Sequence, residues 1–273
     1  MNKDDKVIKE FGEEWLNFNY SKVDRIKLYE TFEQYFDIFP WELISDKSTG
    51  FDMGCGSGRW AQFIAPKVHR LFCVEPSEAI KVAEQNLKQF DNVTFLRETT
   101  ATCTLEEASQ DFGFCLGVLH HIPNTEAALS DCAKLLKKGA PFLIYLYYNF
   151  ENRPVWFKAV WSVSNFLRRM ISKLPKQLKN FVCSLIAYFV YFPLSRLAYV
   201  LEKIGFNVSN IPLTGYRLKP FYECKVDACD RFGTRLEHRF SKLQITEMLI
   251  KCGFGDIHFS PTTPYWCCIA IKQ

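Results

Sequence analysis

The residues best suited to bind a nucleotide lie in one short segment, FDMGCGSGRW, whose glycines alternate at Gly54, Gly56 and Gly58. The carboxylate of Asp52 precedes these glycines, and Glu75 ends the next predicted strand, RLFCVE. Glycine lets a ligand approach the backbone closely, and a strand that runs through such a turn into a helix presents backbone N–H groups to that ligand. A carboxylate at the end of the next strand can accept both hydroxyls of a ribose. The pattern predicts a nucleotide loop with Glu75 as ribose ligand; a tight turn with a solvated glutamate is the alternative.

The spacing of the glycines separates the classes of nucleotide. The order here is GxGxG, whereas the dinucleotide fingerprint is GxGxxG. A phosphate-binding P-loop needs Gly-Lys-Ser/Thr, and no lysine follows Gly58. The spacing therefore excludes a P-loop and disfavours a nicotinamide-dependent oxidoreductase.

A second group of reactive side chains follows the predicted fourth and fifth strands. His120 and His121 would lie at the carboxyl edge of a parallel sheet, where one could deprotonate an acceptor hydroxyl or where both could fix the loop. Tyr147 and Tyr148 would end at the same edge and could floor an acceptor pocket, although side-chain alternation argues against both facing it. Arg239, in a polar segment before the last helix, could hold an anionic part of the acceptor or pair with acidic neighbours.

The elements that must position these residues alternate regularly along the chain. We predict strands at 51–53, 70–74, 93–96, 111–118, 140–148, 256–260 and 266–271. We predict helices at 60–65, 77–89, 125–136 and 241–252. This alternation, with a fifth strand that is apolar on both faces, predicts a Rossmann-like, doubly wound α/β sheet of seven mostly parallel strands.

The same alternation divides the chain into an N-terminal helical part, an α/β domain in two pieces, and a helical insertion after the fifth strand: residues 1–46, residues 47–150 with 236–273, and residues 151–235. Aromatic residues at helical spacings, such as Phe11, Trp15 and Phe18, predict N-terminal helices that pack on the core. The insertion is expected to be a lid or a substrate-binding segment.

Positive charge and apolar surface coincide in the insertion. Residues 151–203 carry nine Lys/Arg and two Asp/Glu, a net charge of +7, whereas the whole chain is +4, which leaves −3 for everything else. Trp156, Val160, Val163 and Leu167 fall on one face of a predicted helix.

An apolar run in the insertion leaves three interpretations open. Residues 181–194 are nearly free of charge, but this run is short for a membrane span, and Pro193 is expected to interrupt it. The insertion could be a lid over the site, or residues 155–203 could also contact an anionic membrane peripherally, or the run could be a true span.

Composition limits the remaining classes of function. The net charge of +4 is too small to indicate a nucleic-acid partner, and none is expected. The eleven cysteines are scattered, odd in number and without a CxxC pair, which favours free thiols in a reducing cytoplasm over disulfides or a zinc site. The N-terminal residues contain no apolar run of the kind that secretory signals carry, so a cytoplasmic protein is expected.

Three motifs together resemble the class I S-adenosylmethionine-dependent methyltransferases, more narrowly the branch that acts on small molecules and lipids. These motifs are DMGCGSGRWA, VEPS and FGFCLGVLHHIPN, and the resemblance covers about residues 48–148 and, more loosely, 236–271. It implies S-adenosylmethionine as cofactor and methyl transfer to a small or lipid-like acceptor, by alignment with possible deprotonation by histidine. A sulfonium methyl is already activated, so alignment and exclusion of water are the main tasks of such an enzyme.

The resemblance also implies a set of cofactor ligands: Asp52, Gly54, Cys55, Gly56, Gly58, Glu75, Pro76, Glu98, Thr99, Gly117 and Val118. In this assignment Asp52 orders the amino group of the methionine part, Glu75 holds the ribose hydroxyls, and Pro76 packs on the adenine. Glu98 and Thr99 fall where the adenine amino group is commonly bound, although family members more usually carry Asp there.

Two other functions remain as alternatives. Methyltransferases that modify bases often carry an Asn/Asp-Pro-Pro-aromatic motif after the fourth strand, and LHHIPN stands there instead, which disfavours a protein or nucleic-acid substrate. A non-catalytic scaffold of the same fold is disfavoured by the intact glycine loop and Glu75.

Overall fold

The computed structural model describes residues 2–17 and 25–273, so the predicted helical position of Phe18 lies outside the described residues. The chain divides into two units, called unit 1 and unit 2 below: Met1–Asn149 with Leu236–Gln273, and Phe150–Arg235. Each unit is described separately.

A seven-stranded sheet forms the centre of unit 1. Its strands β1 to β7 are Thr49–Met53, Arg70–Val74, Val93–Leu96, Phe112–Leu116, Pro141–Tyr145, Phe254–Phe259 and Cys267–Lys272. Their spatial order is β3-β2-β1-β4-β5-β7-β6. Strands β1 to β5 are parallel, and β7 is antiparallel to both of its neighbours. The predicted Rossmann-like sheet of seven mostly parallel strands is confirmed, and its order reverses between β1 and β4, which is where ligands bind in such sheets.

Helices cover both faces of this sheet. The helices α1 to α5 and α10 of unit 1 are Asp5–Asn17, Arg25–Phe36, Ala61–Ile64, Ile80–Asn86, Thr125–Leu135 and Lys242–Lys251. On one face, Phe32 and Phe36 of α2 belong to the same buried cluster as Phe114 of β4. On the other face, α5 and α10 pack with Phe51 and Phe142 in a second cluster. The apolar runs of the central strands β1, β4 and β5 are buried on both faces, as doubly covered parallel strands require.

Two elements near the site differ from their predicted bounds. The helix predicted at 77–89 begins only at Ile80, because the hydroxyl of Ser77 accepts the backbone N–H of Ala79 and holds a turn there. The fifth strand ends at Tyr145 rather than at residue 148. Beyond it, Tyr148 pairs with Phe240 in an isolated bridge.

Unit 2 is helical. Its helices α6 to α9 are Val155–Ile171, Lys176–Ile186, Phe192–Lys203 and Phe221–Gly233. Small residues such as Cys183 of α7 and Ala187 pack against Cys224 and Ala228 of α9. Their small size lets α7 and α9 approach each other closely. The polar segment predicted before the last helix, residues 227–240, belongs to α9 only as far as Gly233.

The prediction that Pro193 interrupts the apolar run is wrong. Helices α7 and α8 join through a π-helical turn, Ala187–Tyr191, into one helix, Lys176–Lys203. Proline lacks an N–H and clashes with the carbonyl four residues earlier, and the wider π turn just before it accommodates both effects. Among the described residues this 28-residue helix is the one that meets the length and hydropathy of a membrane span, through an 18-residue window with a mean hydropathy of 1.6.

Candidate cofactor and acceptor site

The glycine loop is tied to Glu75 through the backbone. The N–H of Gly56 donates to Oε2 of Glu75 at 3.1 Å, and the N–H of Ser77 donates to Oε1 at 3.0 Å. Gly54, Gly56 and Gly58 have φ angles of +77°, +54° and +73°, which side chains rarely adopt. One carboxylate thus holds the loop after β1 against the loop after β2.

Two buried carboxyl groups lie at this site, and burial disfavours the charged form of each. Oδ2 of Asp52 is buried and has no hydrogen-bond partner within the described part of the chain. Burial raises the pKa of Asp52 well above its usual value, the carboxylate of Glu75 raises it further, and Arg59 partly opposes them. Burial likewise raises the pKa of Glu75, against the hydrogen bonds from Ser77 and Gly56. A ligand that brings positive charge and hydroxyl donors would be stabilised here.

The other loop residues divide between an open surface and packing. A Cβ at Gly117, where φ is +81°, would meet only a Tyr145 ring atom at 4.0 Å, so its backbone faces open space. A Cβ at Gly54 would lie 2.5 Å from Cγ2 of Val118, which packs across the loop. A Cβ at Gly58 would lie 2.7 Å from Cδ1 of Leu87, so Gly58 lets the loop pack on α4.

The remaining predicted cofactor residues occupy local turns. Cys55 is buried, and its thiol interacts with Cys73. Pro76 is half-buried directly after Glu75. The oxygens of Glu98 accept the N–H and the hydroxyl of Thr104, both at 2.8 Å. Thr99 caps the short helix Thr100–Thr102. The roles predicted for these residues toward an adenine stay predictions.

The two histidines lie together at the carboxyl end of β4. His120 is fully buried, and neither of its ring nitrogens has a partner among the residues described. Its ring stacks on Tyr147 with centroids 3.8 Å apart. Burial lowers the pKa of His120 well below its usual value, so the ring is neutral at neutral pH. Nδ1 of His121 lies 2.7 Å from the carbonyl oxygen of Leu236, which can only accept a hydrogen bond.

The predicted acceptor residues Tyr147, Tyr148 and Arg239 are adjacent but face different partners. Tyr148 packs on Tyr265, whereas Tyr147 contacts the rings of both histidines, in agreement with side-chain alternation. The guanidinium of Arg239 lies 5.0 Å from the Tyr147 ring and donates to the Tyr148 carbonyl at 3.1 Å. Arg239 also pairs with the buried side chain of Glu237 at 2.8 Å, as expected if it interacts with an acidic neighbour. Its predicted contact with an anionic part of the acceptor stays a prediction.

Sequence reasoning missed that helix α1 lies over these loops. A Cβ at Gly56 would be 3.2 Å from the indole of Trp15. A Cβ at Gly12 would be 3.0 Å from the loop after β2, so this helix needs glycine at its closest approach. The ring of Phe11 lies 4.8 Å from that of His121. A glycine inside an amphipathic helix was the available signal, because it indicates close packing.

Comparison with known proteins agrees with this geometry. Residues 51–144, from the glycine loop through β5, match the family described as a methyltransferase domain. Over these residues the chain is similar to the class I S-adenosylmethionine-dependent methyltransferases. Relatives called ubiquinone biosynthesis O-methyltransferase match at 27% identity: 113 residues in Nitrosomonas europaea, which is 40% of this chain and 46% of the relative, and 134 residues in Escherichia coli O9:H4, 48% and 55%. The chain spans about half the length of these curated relatives.

Solved structures share the fold of the methyltransferase domain. One is a chain in the complex of a Haloferax volcanii methyltransferase activator with a proposed methyltransferase, at 14% identity, TM-score 0.56, and 96% and 97% coverage. Another is a proposed methyltransferase from Bacillus halodurans, also 14% identical, with a TM-score of 0.52 and coverage of 84% and 71%. At this identity the likeness establishes the fold alone.

The cofactor of the domain is S-adenosylmethionine, and the residues at the loop fit it. The molecule carries an ammonium group, a sulfonium and two ribose hydroxyls, and the site offers Oδ2 of Asp52 without a partner and a second carboxylate on Glu75. The open backbone at Gly117 leaves room for a ligand. The individual ligand assignments stay predictions.

Proposed function

We propose that this protein transfers the methyl group of S-adenosylmethionine to a hydroxyl of a small or lipid-like acceptor that binds beside His120 and His121. The observation that carries the proposal is the buried imidazole of His120, which has no hydrogen-bond partner among the described residues and stacks on Tyr147. A buried polar group without a partner is costly, so a ligand that supplies one binds favourably. The names of the relatives, ubiquinone biosynthesis O-methyltransferases, support oxygen as the methylated atom.

The chain's own residues would bind and orient the acceptor and accept its proton. S-adenosylmethionine supplies the activated methyl group when it is bound. The Leu236 carbonyl accepts from Nδ1 of His121, so in the neutral imidazole Nε2 is the nitrogen that would take the acceptor proton. His120, neutral through burial, offers the acceptor hydroxyl a hydrogen bond without adding positive charge. The Tyr147 ring holds His120 in place.

The test is methyl transfer from radiolabelled S-adenosylmethionine to a panel of phenols, amines and thiols, each with and without a prenyl or acyl chain. We expect transfer to phenols, and His121→Gln should lower kcat by about 10²–10⁴-fold without changing cofactor affinity. His69→Gln, at an exposed histidine before β2, is the matched control. Transfer to amines or thiols but not to phenols, or full activity in His121→Gln, would contradict the proposal.

The proposal includes a cytoplasmic location and contact of residues 155–203 with an anionic membrane surface. All eleven cysteines lie in the described part of the chain and are thiols rather than disulfides, which supports a reducing compartment. A lipid-like acceptor partitions into membranes, so a protein that acts on it gains from binding there.

A further inference from the structure

Helix α6 buries Arg168 and half-buries Phe157 and Trp161 on one side, and it leaves a second, apolar side exposed. Arg168 is only 4% exposed, and it donates to the carbonyl of Thr234 at 2.7 Å and to Oδ1 of Asn165 at 2.9 Å. The large side chains of the opposite face are all exposed: Trp156, Val160, Val163, Phe166, Leu167 and Met170. An ordinary surface helix buries its apolar face and exposes its charges. The exposed apolar side chains of α6 therefore do not contribute to the core of unit 2, and they are available to a partner.

The long helix formed by α7 and α8 also leaves an apolar side exposed, although its buried side is apolar as well. Its inward face packs on α9 through small residues. Exposed apolar side chains recur along its outer side at helical spacings: Leu178, Phe181, Leu185, Tyr188, Val200 and Ile204. Contiguous exposed apolar surface on this scale marks an interaction site.

We infer that these two exposed faces of unit 2 dock onto the surface of an anionic lipid bilayer. The charge of the segment favours lipid over a second protein, because residues 151–203 carry nine Lys/Arg against two Asp/Glu. Lys158, Arg169 and Lys173 are exposed beside the apolar face of α6. Exposed apolar and aromatic side chains flanked by cations are typical of helices that lie in the interface of an anionic membrane.

The contacts of unit 2 favour lying on the bilayer over crossing it. Arg196, in the middle of α8, donates to the carbonyls of Arg217 and Lys219 at 2.5 and 2.6 Å. The partner helix α9 carries Glu223 and Asp227 along its length. Crossing the membrane would take these charged groups into hydrocarbon, which is costly, whereas interfacial docking leaves them in water.

The inference rests on the proposed function only in assuming a lipid-like acceptor. Its test measures membrane binding and does not depend on methyl transfer. Flotation with phosphatidylcholine vesicles, with and without phosphatidylglycerol, measures binding of the full chain. The Val163→Ser/Phe166→Ser variant, at sites 63% and 64% exposed, should bind about tenfold more weakly. The Arg169→Gln/Lys173→Gln variant should lose roughly 30-fold in affinity for anionic vesicles alone. Leu243→Ser/Ile250→Ser, at α10 sites 66% and 60% exposed, is the matched control.

Each outcome decides the inference. The inference is supported if only the unit 2 variants lose vesicle binding. It is supported independently if anionic vesicles shift the fluorescence of the protein to the blue and the Trp156→Phe variant does not show this shift. Unchanged binding, or equal loss in the α10 control, would overturn it. So would a self-association, seen by sedimentation, that the Val163→Ser/Phe166→Ser variant abolishes while vesicle binding persists. Vesicle binding by a protein that methylates nothing would refute the proposed function and leave the docking surface standing.

Discussion

Replacing Asp52 by Asn is expected to stabilise the cofactor-free protein and to weaken cofactor binding. Oδ2 of Asp52 is buried without a hydrogen-bond partner among the described residues, and the nearby Glu75 carboxylate repels its charge. A buried acceptor left unpaired costs about 1–3 kcal/mol, and more when it is charged. Asparagine keeps a polar group at this place but removes the buried charge that Glu75 repels, so the variant should raise the free energy of unfolding at neutral pH by roughly 1–3 kcal/mol. For a domain of this size each kcal/mol raises Tm by about 2–4 °C.

The same substitution should change the pH dependence of stability. The folded pKa of Asp52 is raised by burial, above an unfolded value of about 3.9. At pH values below both, the carboxyl is neutral in both states and burial costs little. As the pH rises through the folded pKa, the fold must carry a buried charge and stability is lost. Asp52→Asn should flatten this loss.

The assay is thermal and urea unfolding from acidic to neutral pH, with calorimetry of S-adenosylmethionine binding. Binding should weaken roughly tenfold to hundredfold, since a hydrogen bond to a charged group contributes about 1.5–3 kcal/mol. Asp111→Asn is the matched control: its oxygens accept from the N–H of Thr49 at 2.8 Å and from Lys137 at 2.7 Å, so that variant should lose stability and keep cofactor affinity. A less stable Asp52→Asn protein at neutral pH would refute the reasoning.

Three further results are expected. Glu75→Ala removes the acceptor of the Gly56 N–H and should abolish S-adenosylmethionine binding in calorimetry; unchanged affinity would remove Glu75 from the site. Because the pKa of His120 is lowered by burial, stability should fall as the pH drops below about 6.5, and His120→Phe should lessen that fall; an unaltered pH profile would count against a buried neutral ring. Gly12→Val adds atoms where a Cβ would already be 3.0 Å from the loop after β2, so it should speed product dissociation in stopped flow, whereas exposed Leu16→Ser should not.

The parts of the site that could be predicted from sequence are those fixed by local geometry. Short apolar runs between predicted turns and helices indicate strands, so β2 and β3 were predicted to the residue. The hydrogen bond from Gly56 to Glu75 joins the loops after β1 and β2. These two strands are parallel neighbours, so both loops lie at the same edge of the sheet.

The parts that could not be predicted depend on packing between distant segments. Periodicity identified an apolar stripe on α6, but it could not tell that the opposite side, with Arg168, packs inward. The position of α1 over the loops depends on contacts of Trp15 and Phe11 with residues far along the chain. The π turn before Pro193 is a tertiary adjustment that local preference does not indicate.

The two points where the chain leaves and re-enters unit 1 are hydrogen-bonded to each other. The N–H of Asn149 donates to the Phe240 carbonyl at 3.0 Å, and the N–H of Phe240 donates to the Tyr147 carbonyl at 2.9 Å. From the sheet's point of attachment, the segment between these two residues is one closed loop. The entropic cost of closing a loop grows only slowly with the length of the loop. Phe150–Arg235 is thus one insertion between two hydrogen-bonded points of unit 1, and exchanging it for a segment of another length should change the stability of unit 1 only slightly.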